Sequence, residues 1–444
     1  VPQTPEQEEV SQFVTAVFRT WRDAGISFLV LRNYENLPDS ISNDIDVLLK
    51  PCQLRDAEES LLATARSWGF QLHNRAEFAT LALYFSSTHS NSQVHFDLFT
   101  NLKWRSFDFL RCDEFLQRRV TRDLFSTPHP ADEAATNLLA TMIYTGKVKE
   151  KYKPSVTAGF RNEPAIATSL LAKTYGSRLA EVVVASGAKE NWPQLEAAAP
   201  ALRRALITRQ LMRNPLAKLG SFFKDSARLL KRLIHPPGLT VVLCGADGSG
   251  KSTVARAIIE GLSPTFSPLK GSQFHWKPPI LSGKRIASRA PTEDPHSKPP
   301  RNPFLSLLYF GFHLLEFILG SRLRVRPVTF RGGLILIDRY YYDFFVDQRR
   351  YRLKVPLFLV RLGYLLVKKP DVVLLLDAPA EVLQQRKQEV PIAETQRQRE
   401  AYLSLIQRLP NAHVLDACQA PDKVASACIR LILDLMAART SRRQ

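Results

Sequence analysis

Apolar positions along the chain change period several times, and each change marks a predicted element. From Gln7 to Arg22, Val10, Phe13, Val14, Val17 and Trp21 recur at helical spacing, and Gly25 follows as a stop. This predicts a helix and then a strand over Ile26 to Leu31. Turn residues fill Arg32 to Asn43, after which Asp44 to Leu49 (DIDVLL) and, later, Gln93 to Phe99 (QVHFDLF) read as strands. Alternate strand residues share a side, so Asp44 projects with Asp46 and His95 with Asp97, while Ile45, Val94, Phe96 and Leu98 point to a core. Ala131 to about Ala199 is Ala- and Leu-rich with helical spacing and is expected as a helical connector.

Arg203 to Ile234 alternates basic and apolar residues, a pattern that either lies on an anionic membrane or packs on a domain as a linker helix. Pro236-Pro237-Gly238 closes it. Beyond that point apolar strand-like runs, Leu239 to Cys244, Gly333 to Ile337, Asp371 to Asp377 and Ala412 to Asp416, alternate with helical stretches, including closing ones from Ala380 and from Pro421. Pro303 to Leu319 (PFLSLLYFGFHLLEFIL) is almost long enough to span a bilayer, but His313 and Glu316 inside it favour a buried or lid helix.

Composition narrows the classes. With 444 residues, 45% of them hydrophobic, the chain has material for two or three cored domains. Its five cysteines are scattered without a CxxC pair, so neither a disulfide framework nor a zinc site is expected and a cytoplasmic location fits. The polar, acidic start VPQTPEQEEV does not read as a signal peptide. A net charge of +19 points to nucleic acid, acidic membrane or polyanionic small molecules. Nucleic acid is not expected, because no zinc finger, aromatic RNA-binding motif or RGG tract is present.

The most specific chemical signal is VVLCGADGSGKST, an apolar strand followed by a Walker A phosphate-binding loop. Gly245, Gly248 and Gly250 let the backbone of Gly245 to Thr253, Ser249 included, turn its N–H groups toward phosphate oxygens at a helix start. Lys251 would reach the β and γ phosphates, and the Ser252 hydroxyl would ligate Mg2+. The strand ending in Asp338-Arg339-Tyr340 adds an acid for the metal and a guanidinium for an acceptor anion, with Arg349 and Arg350 close behind. Glu389 to Arg399 reads as a basic lid, and Arg386 and Lys387 end the helix before it. His275, His296, Lys298 and Arg301 in the Pro-rich insertion are further candidates for meeting an anionic substrate. No Asn-Lys-x-Asp or LSGGQ-like segment accompanies the loop, which disfavours a GTPase switch or a transporter ATPase.

In order, GADGSGKST, DRYYYD, LLLDAPAEVLQQR, REAYLSLIQRL and VLDACQAPDKV resemble thymidylate kinase and its relatives. The resemblance implies ATP and Mg2+ as cofactors and a small-molecule acceptor. It sets Asp247 on the acceptor's sugar hydroxyl, Arg339 on its phosphate with Tyr340 beside it, Asp338 at the metal, and Arg386 and Arg397 on the transferring phosphates. The Pro-rich insertion and the VDQRRYR tail are similar to a branch encoded with polysaccharide-assembly enzymes. The segment LRNYENLPDSISNDIDVLL resembles nucleotidyltransferase-like domains from surface-polysaccharide gene clusters. That second resemblance implies divalent ions held by Asp44, Asp46 and Asp97, although Ser42 and Asn43 stand where the superfamily has its Gly-Ser pair.

The expected architecture is α/β: an α+β nucleotidyltransferase-like domain over residues 1–128, a helical connector with its basic amphipathic segment over 129–237, and a P-loop kinase with a parallel doubly wound sheet over 238–440. The expected activity is ATP-dependent phosphorylation of a nucleoside monophosphate or sugar-like metabolite, joined to a nucleotidyltransferase. The alternative is an ATP-regulated, membrane-surface assembly protein with a degenerate first domain. Peripheral membrane contact and a homodimer are left open as partners.

Overall fold

The computed structural model describes residues 4–41, 44–77, 80–266, 273–281, 296 and 298–442; Ser42, Asn43 and much of the Pro-rich insertion lie outside the described residues. The chain divides into two compact units, Val1–Leu230 with Leu435–Gln444, and Lys231–Asp434.

The first unit opens with α1 (Pro5–Asp23), started by a reciprocal cap in which Gln7 N–H donates to Thr4 Oγ1 and Thr4 N–H to Gln7 Oε1. Its buried face, Phe13, Val14, Val17, Phe18 and Trp21, joins the core of a five-stranded sheet. The strands are β1 (Phe28–Val30), β2 (Ile45–Leu49), β3 (Phe70–Glu77), β4 (Leu81–Ser87) and β5 (Gln93–Phe99), with α2 (Leu54–Ser67) between β2 and β3. Their order is β1-β2-β5-β4-β3, mixed in direction, with β2 and β5 parallel. A hairpin of β6 (Leu102–Trp104) and β7 (Phe107–Leu110) follows.

After the short α3 (Phe115–Arg118) and the strand pair β8 (Val120–Thr121) and β9 (Ser126–Thr127) come α4 (Pro130–Thr145), α5 (Lys153–Asn162), α6 (Pro164–Tyr175), α7 (Ser177–Ala188) and α8 (Trp192–Arg213). These helices, expected as a connector, share a core with Leu29 and Leu48 of the sheet strands, with Leu31 just after β1, and with Phe109 and Leu110 of the hairpin. Burial of their apolar faces there makes them part of the first unit, and the division between the two units falls within the next helix, α9 (Pro215–Ile234).

The second unit is built on five parallel strands, β10 (Leu239–Cys244), β11 (Gln273–His275), β12 (Leu334–Asp338), β13 (Val372–Asp377) and β14 (Ala412–Asp416), in the order β11-β12-β10-β13-β14. Near-continuous burial of β10, β12 and β13 explains their unbroken apolar sequences. α10 (Lys251–Gly261) follows β10. α11 (Pro303–Gly320), capped by Asn302 on Leu305 N–H, buries Ser306, Phe310, Glu316, Phe317 and Gly320 and runs through a π turn into α12 (Arg326–Phe330). Residues Pro303–Phe330 are long and apolar enough to cross a membrane by length and composition, and Glu316 sits fully buried within them, paired with Lys277. The unit continues with α13 (Asp343–Val346), α14 (Leu357–Leu366), α15 (Ala380–Arg386), α16 (Ile392–Ile406) and α17 (Pro421–Ser441), the last of which runs on past Asp434.

Candidate active site

The loop from Gly245 to Gly250 joins β10 to α10 at the carboxyl end of the central strand. Gly245 has φ +144°, and a Cβ there would stand 2.7 Å from the Leu376 carbonyl oxygen; at Gly248, φ +85°, it would stand 2.5 Å from that of Leu383. Only glycine fits both positions, so the sequence pattern reflects close backbone approach. Lys251 is buried, its Nζ donating to the carbonyls of Gly245 and Ala246 at 2.9 Å each. Burial, then the Arg339 charge, lowers its pKa. Ser252 and Thr253 are exposed at the helix start.

Beside the loop, β12 ends in Asp338, and Arg339 follows. Arg339 adopts φ +66°, uncommon for a residue with a side chain, and is fixed there by its N–H on the Leu243 carbonyl at 2.8 Å. Its guanidinium is ion-paired with Asp247 and, at 3.3 Å, with Asp343. Arg350 pairs with the other oxygen of Asp247, with Glu389 at 3.1 Å and with Asp347 at 3.5 Å. Burial works to raise the Asp247 carboxyl, but Arg339, Lys251 and Arg350 outweigh it and hold it well below the usual carboxylate range. Asp343, fully buried, also accepts from Tyr351 at 2.6 Å and Tyr402 at 2.7 Å. Asp338 Oδ2 meets His275 Nδ1 at 3.3 Å, whereas its Oδ1 is buried without a hydrogen-bond partner among the described residues. Burial is again outweighed, here by His275, Lys251 and Arg339, and the Asp338 carboxyl lies below its ordinary value.

Loop, Asp247, Asp338, Arg339 and Arg350 thus come together. Other candidates stand elsewhere. Tyr340 is in the core, its hydroxyl donating to the Lys368 carbonyl, so its expected place beside the acceptor is not what the fold gives. Arg349 is exposed and donates to the His296 carbonyl. Arg386 donates to the Ala417 carbonyl at 2.8 Å, and Arg397 pairs with Glu394 and donates to the Val346 carbonyl. In this arrangement neither reaches the loop by a hydrogen bond. Glu389, read only as the lid's first residue, is a direct partner of Arg350; no sequence spacing signals that pairing.

An oxygen-rich cluster of the first unit lies on β2 and β5. Asp46 and Asp97 are opposite one another in the parallel register, and side-chain ligand atoms of Asp44, His95 and Asp97 all lie within 4.8 Å of one another. Asp46 departs from the expected set of three carboxylates: it is fully buried and ion-paired through Oδ2 with Arg32. Burial, eased by Arg32 and reinforced by Asp44 and Asp97, raises its pKa to about 6. Its Oδ1 has no hydrogen-bond partner among the described residues. His95, stacked on Tyr84 and 3.1 Å from Asp97, takes the place expected of Asp46; its signal was its even spacing from Asp97.

The donor sets fit the groups expected of them. In the second unit, glycine-only backbone, a buried lysine and an orphaned carboxylate oxygen suit a triphosphate and a hard divalent cation. In the first, two carboxylates and an imidazole suit one divalent ion.

No protein-family model matches the chain. Thymidylate kinase of Xylella fastidiosa (strain M23) is 26% identical over 219 residues, 46% of this chain and 92% of that protein. Thymidylate kinase of Xanthomonas euvesicatoria pv. vesicatoria (strain 85-10) is 26% identical over 220 residues, 47% of this chain and 89% of that one. Among solved structures, thymidylate kinase from Ehrlichia chaffeensis matches with a TM-score of 0.33 and 16% identity, covering 44% of this chain and 98% of its own. Over about 46% of its length, this chain is homologous to thymidylate kinases.

Proposed function

We propose that the second unit is an ATP- and Mg2+-dependent kinase that phosphorylates a small anionic acceptor, a nucleoside monophosphate such as dTMP or a sugar-like phosphate. The observation that carries this reading is the convergence of Arg339 and Arg350 on Asp247 beside the phosphate loop. Two guanidiniums that already grip one carboxylate have the geometry to grip an acceptor phosphate. Lys251 leaves the Gly245 and Ala246 carbonyls for the β and γ phosphates, and the loop N–H groups hold the same oxygens. Asp338 and Ser252 are the residues to hold Mg2+, which when bound neutralises charge on the transferring phosphoryl group. Asp247, released by the incoming anion, accepts a hydrogen bond from an acceptor hydroxyl.

ADP release from ATP with a panel of nucleoside monophosphates and sugar phosphates tests the reading. Acceptor-stimulated turnover in the wild type that is lost in Lys251→Ala is expected; no stimulation by any acceptor would overturn it.

We further propose, from the cluster of Asp44, His95 and Asp97, a divalent-ion-assisted nucleotidyl transfer in the first unit; its place in surface-polysaccharide precursor metabolism rests on the sequence resemblance alone. Calorimetric Mn2+ binding lost in Asp44→Ala/Asp97→Ala is expected, and unchanged binding in that variant would sink it.

A further inference from the structure

Not one side chain of α9 is buried. At 100° per residue Leu216, Leu219, Phe222, Phe223, Leu230 and Ile234 fall on one side of the helix, and they are 53–81% exposed. The other side carries Lys224, Arg228, Lys231 and Arg232, with Asp225 as its only acid. That polar side is the attached one. Lys218 Nζ donates to the Ser106 carbonyl at 2.8 Å and to Asp108 at 3.2 Å, and the Ser106 hydroxyl donates to Asp225. The helix is therefore held to the β6–β7 hairpin by its charges, with its apolar side turned to solvent, the reverse of a linker helix packed on a domain.

An apolar stripe of this size is not left to water without an occupant. Its borders select which. Lys224 and Lys231 run along one edge, so a second copy packed antiparallel on the stripe, about a two-fold axis perpendicular to the helix, would bring like charges together. Phosphate headgroups complement them, and acyl chains complement the phenylalanines. We propose that α9 is an in-plane docking helix for an anionic lipid bilayer, inserting Phe222, Phe223 and their apolar neighbours while Lys224, Arg228 and Lys231 lie at headgroup level. This proposal stands apart from the kinase reading.

Co-sedimentation of the full chain with vesicles of phosphatidylcholine alone, or in equal mixture with phosphatidylserine, tests it. Binding to the anionic vesicles only, released by raised salt, is expected. Phe222→Glu/Phe223→Glu should weaken it about 10-fold or more, from lost apolar burial, and Lys224→Glu/Lys231→Glu should remove the preference for anionic lipid. All four positions are on an unburied helix, so thermal unfolding should match the wild type. Failure of the wild type to sediment, equal sedimentation by the phenylalanine variant, or a wild-type dimer that this variant splits in gel filtration without lipid binding, would each overturn the proposal.

Discussion

Asp247 and Arg339, ninety-two positions apart in sequence, form a largely buried ion pair that ties the phosphate loop to the residue after β12. Arg350 holds the second oxygen of the same carboxylate, so one side chain keeps two cations in place. Asp247→Asn should leave both guanidiniums less well paired, though Asp343 and Glu389 still hold them. Its expected cost is about 1–3 kcal/mol of stability and roughly 10- to 100-fold in acceptor kcat/KM. Thermal unfolding and steady-state ADP release read the two effects separately.

Lys277 and Glu316 form a pair with 5% and 0% side-chain exposure. Glu316 also accepts from the N–H groups of Ile280 and Leu281 at 3.3 and 3.2 Å. Removing one charge strands the other, so Glu316→Ala should lose about 3–5 kcal/mol, while Lys277→Met/Glu316→Leu should recover most of it. Urea unfolding of the three proteins measures this.

Burial, helped by the neighbouring Lys277 charge, pushes His313 from its ordinary 6.5 down to about 3. Lys277 Nζ donates to its Nδ1 at 2.8 Å, which requires the neutral ring. Between these two values the unfolded chain binds a proton that the folded chain does not. Stability from this group is therefore full above about pH 6.5 and falls as pH drops, by up to about 1.4 kcal/mol per unit. His313→Gln, which retains an acceptor for Lys277, should flatten the dependence of melting temperature on pH between neutrality and mild acid.

Arg399, expected in a lid over donor phosphates, instead makes a two-bond fork to Asp377 at the end of β13, at 2.8 and 2.9 Å. Both side chains keep some solvent contact, so a double-mutant cycle of Arg399→Gln and Asp377→Asn should give a coupling of only about 0.5–1 kcal/mol. ATP binding, followed by calorimetry, should change little.

Local patterns made much of this legible. The phosphate loop is contiguous, and its glycines show in the sequence although the carbonyls they make room for, Leu376 and Leu383, lie far along the chain; the apolar strands announce themselves because both faces are buried. Tyr340 shows the limit. Nothing in an aromatic run tells which ring lines a site and which fills a core, and here the fold spends it on a carbonyl of Lys368. Arg32 on Asp46 and Glu389 on Arg350 were invisible for another reason: each pairing is made by a loop or strand-end side chain whose reach depends on the folded path of the chain. The helices after residue 130 looked like a connector because their core partners are strands about a hundred residues earlier, a separation that periodicity does not encode.

The parallel register of β2 with β5 sets Asp46 opposite Asp97 and Ile45 opposite Phe96. What the cluster on these strands depends on is thus the parity of spacing within each strand. Loops between the two strands can lengthen or shorten freely, because the crossover absorbs the change. A single inserted residue inside β5, by contrast, would exchange sides, bringing apolar side chains beside Asp46 and sending His95 or Asp97 into the core. Distant relatives that keep this site should therefore differ in the length between their acidic strands while preserving an even count inside them.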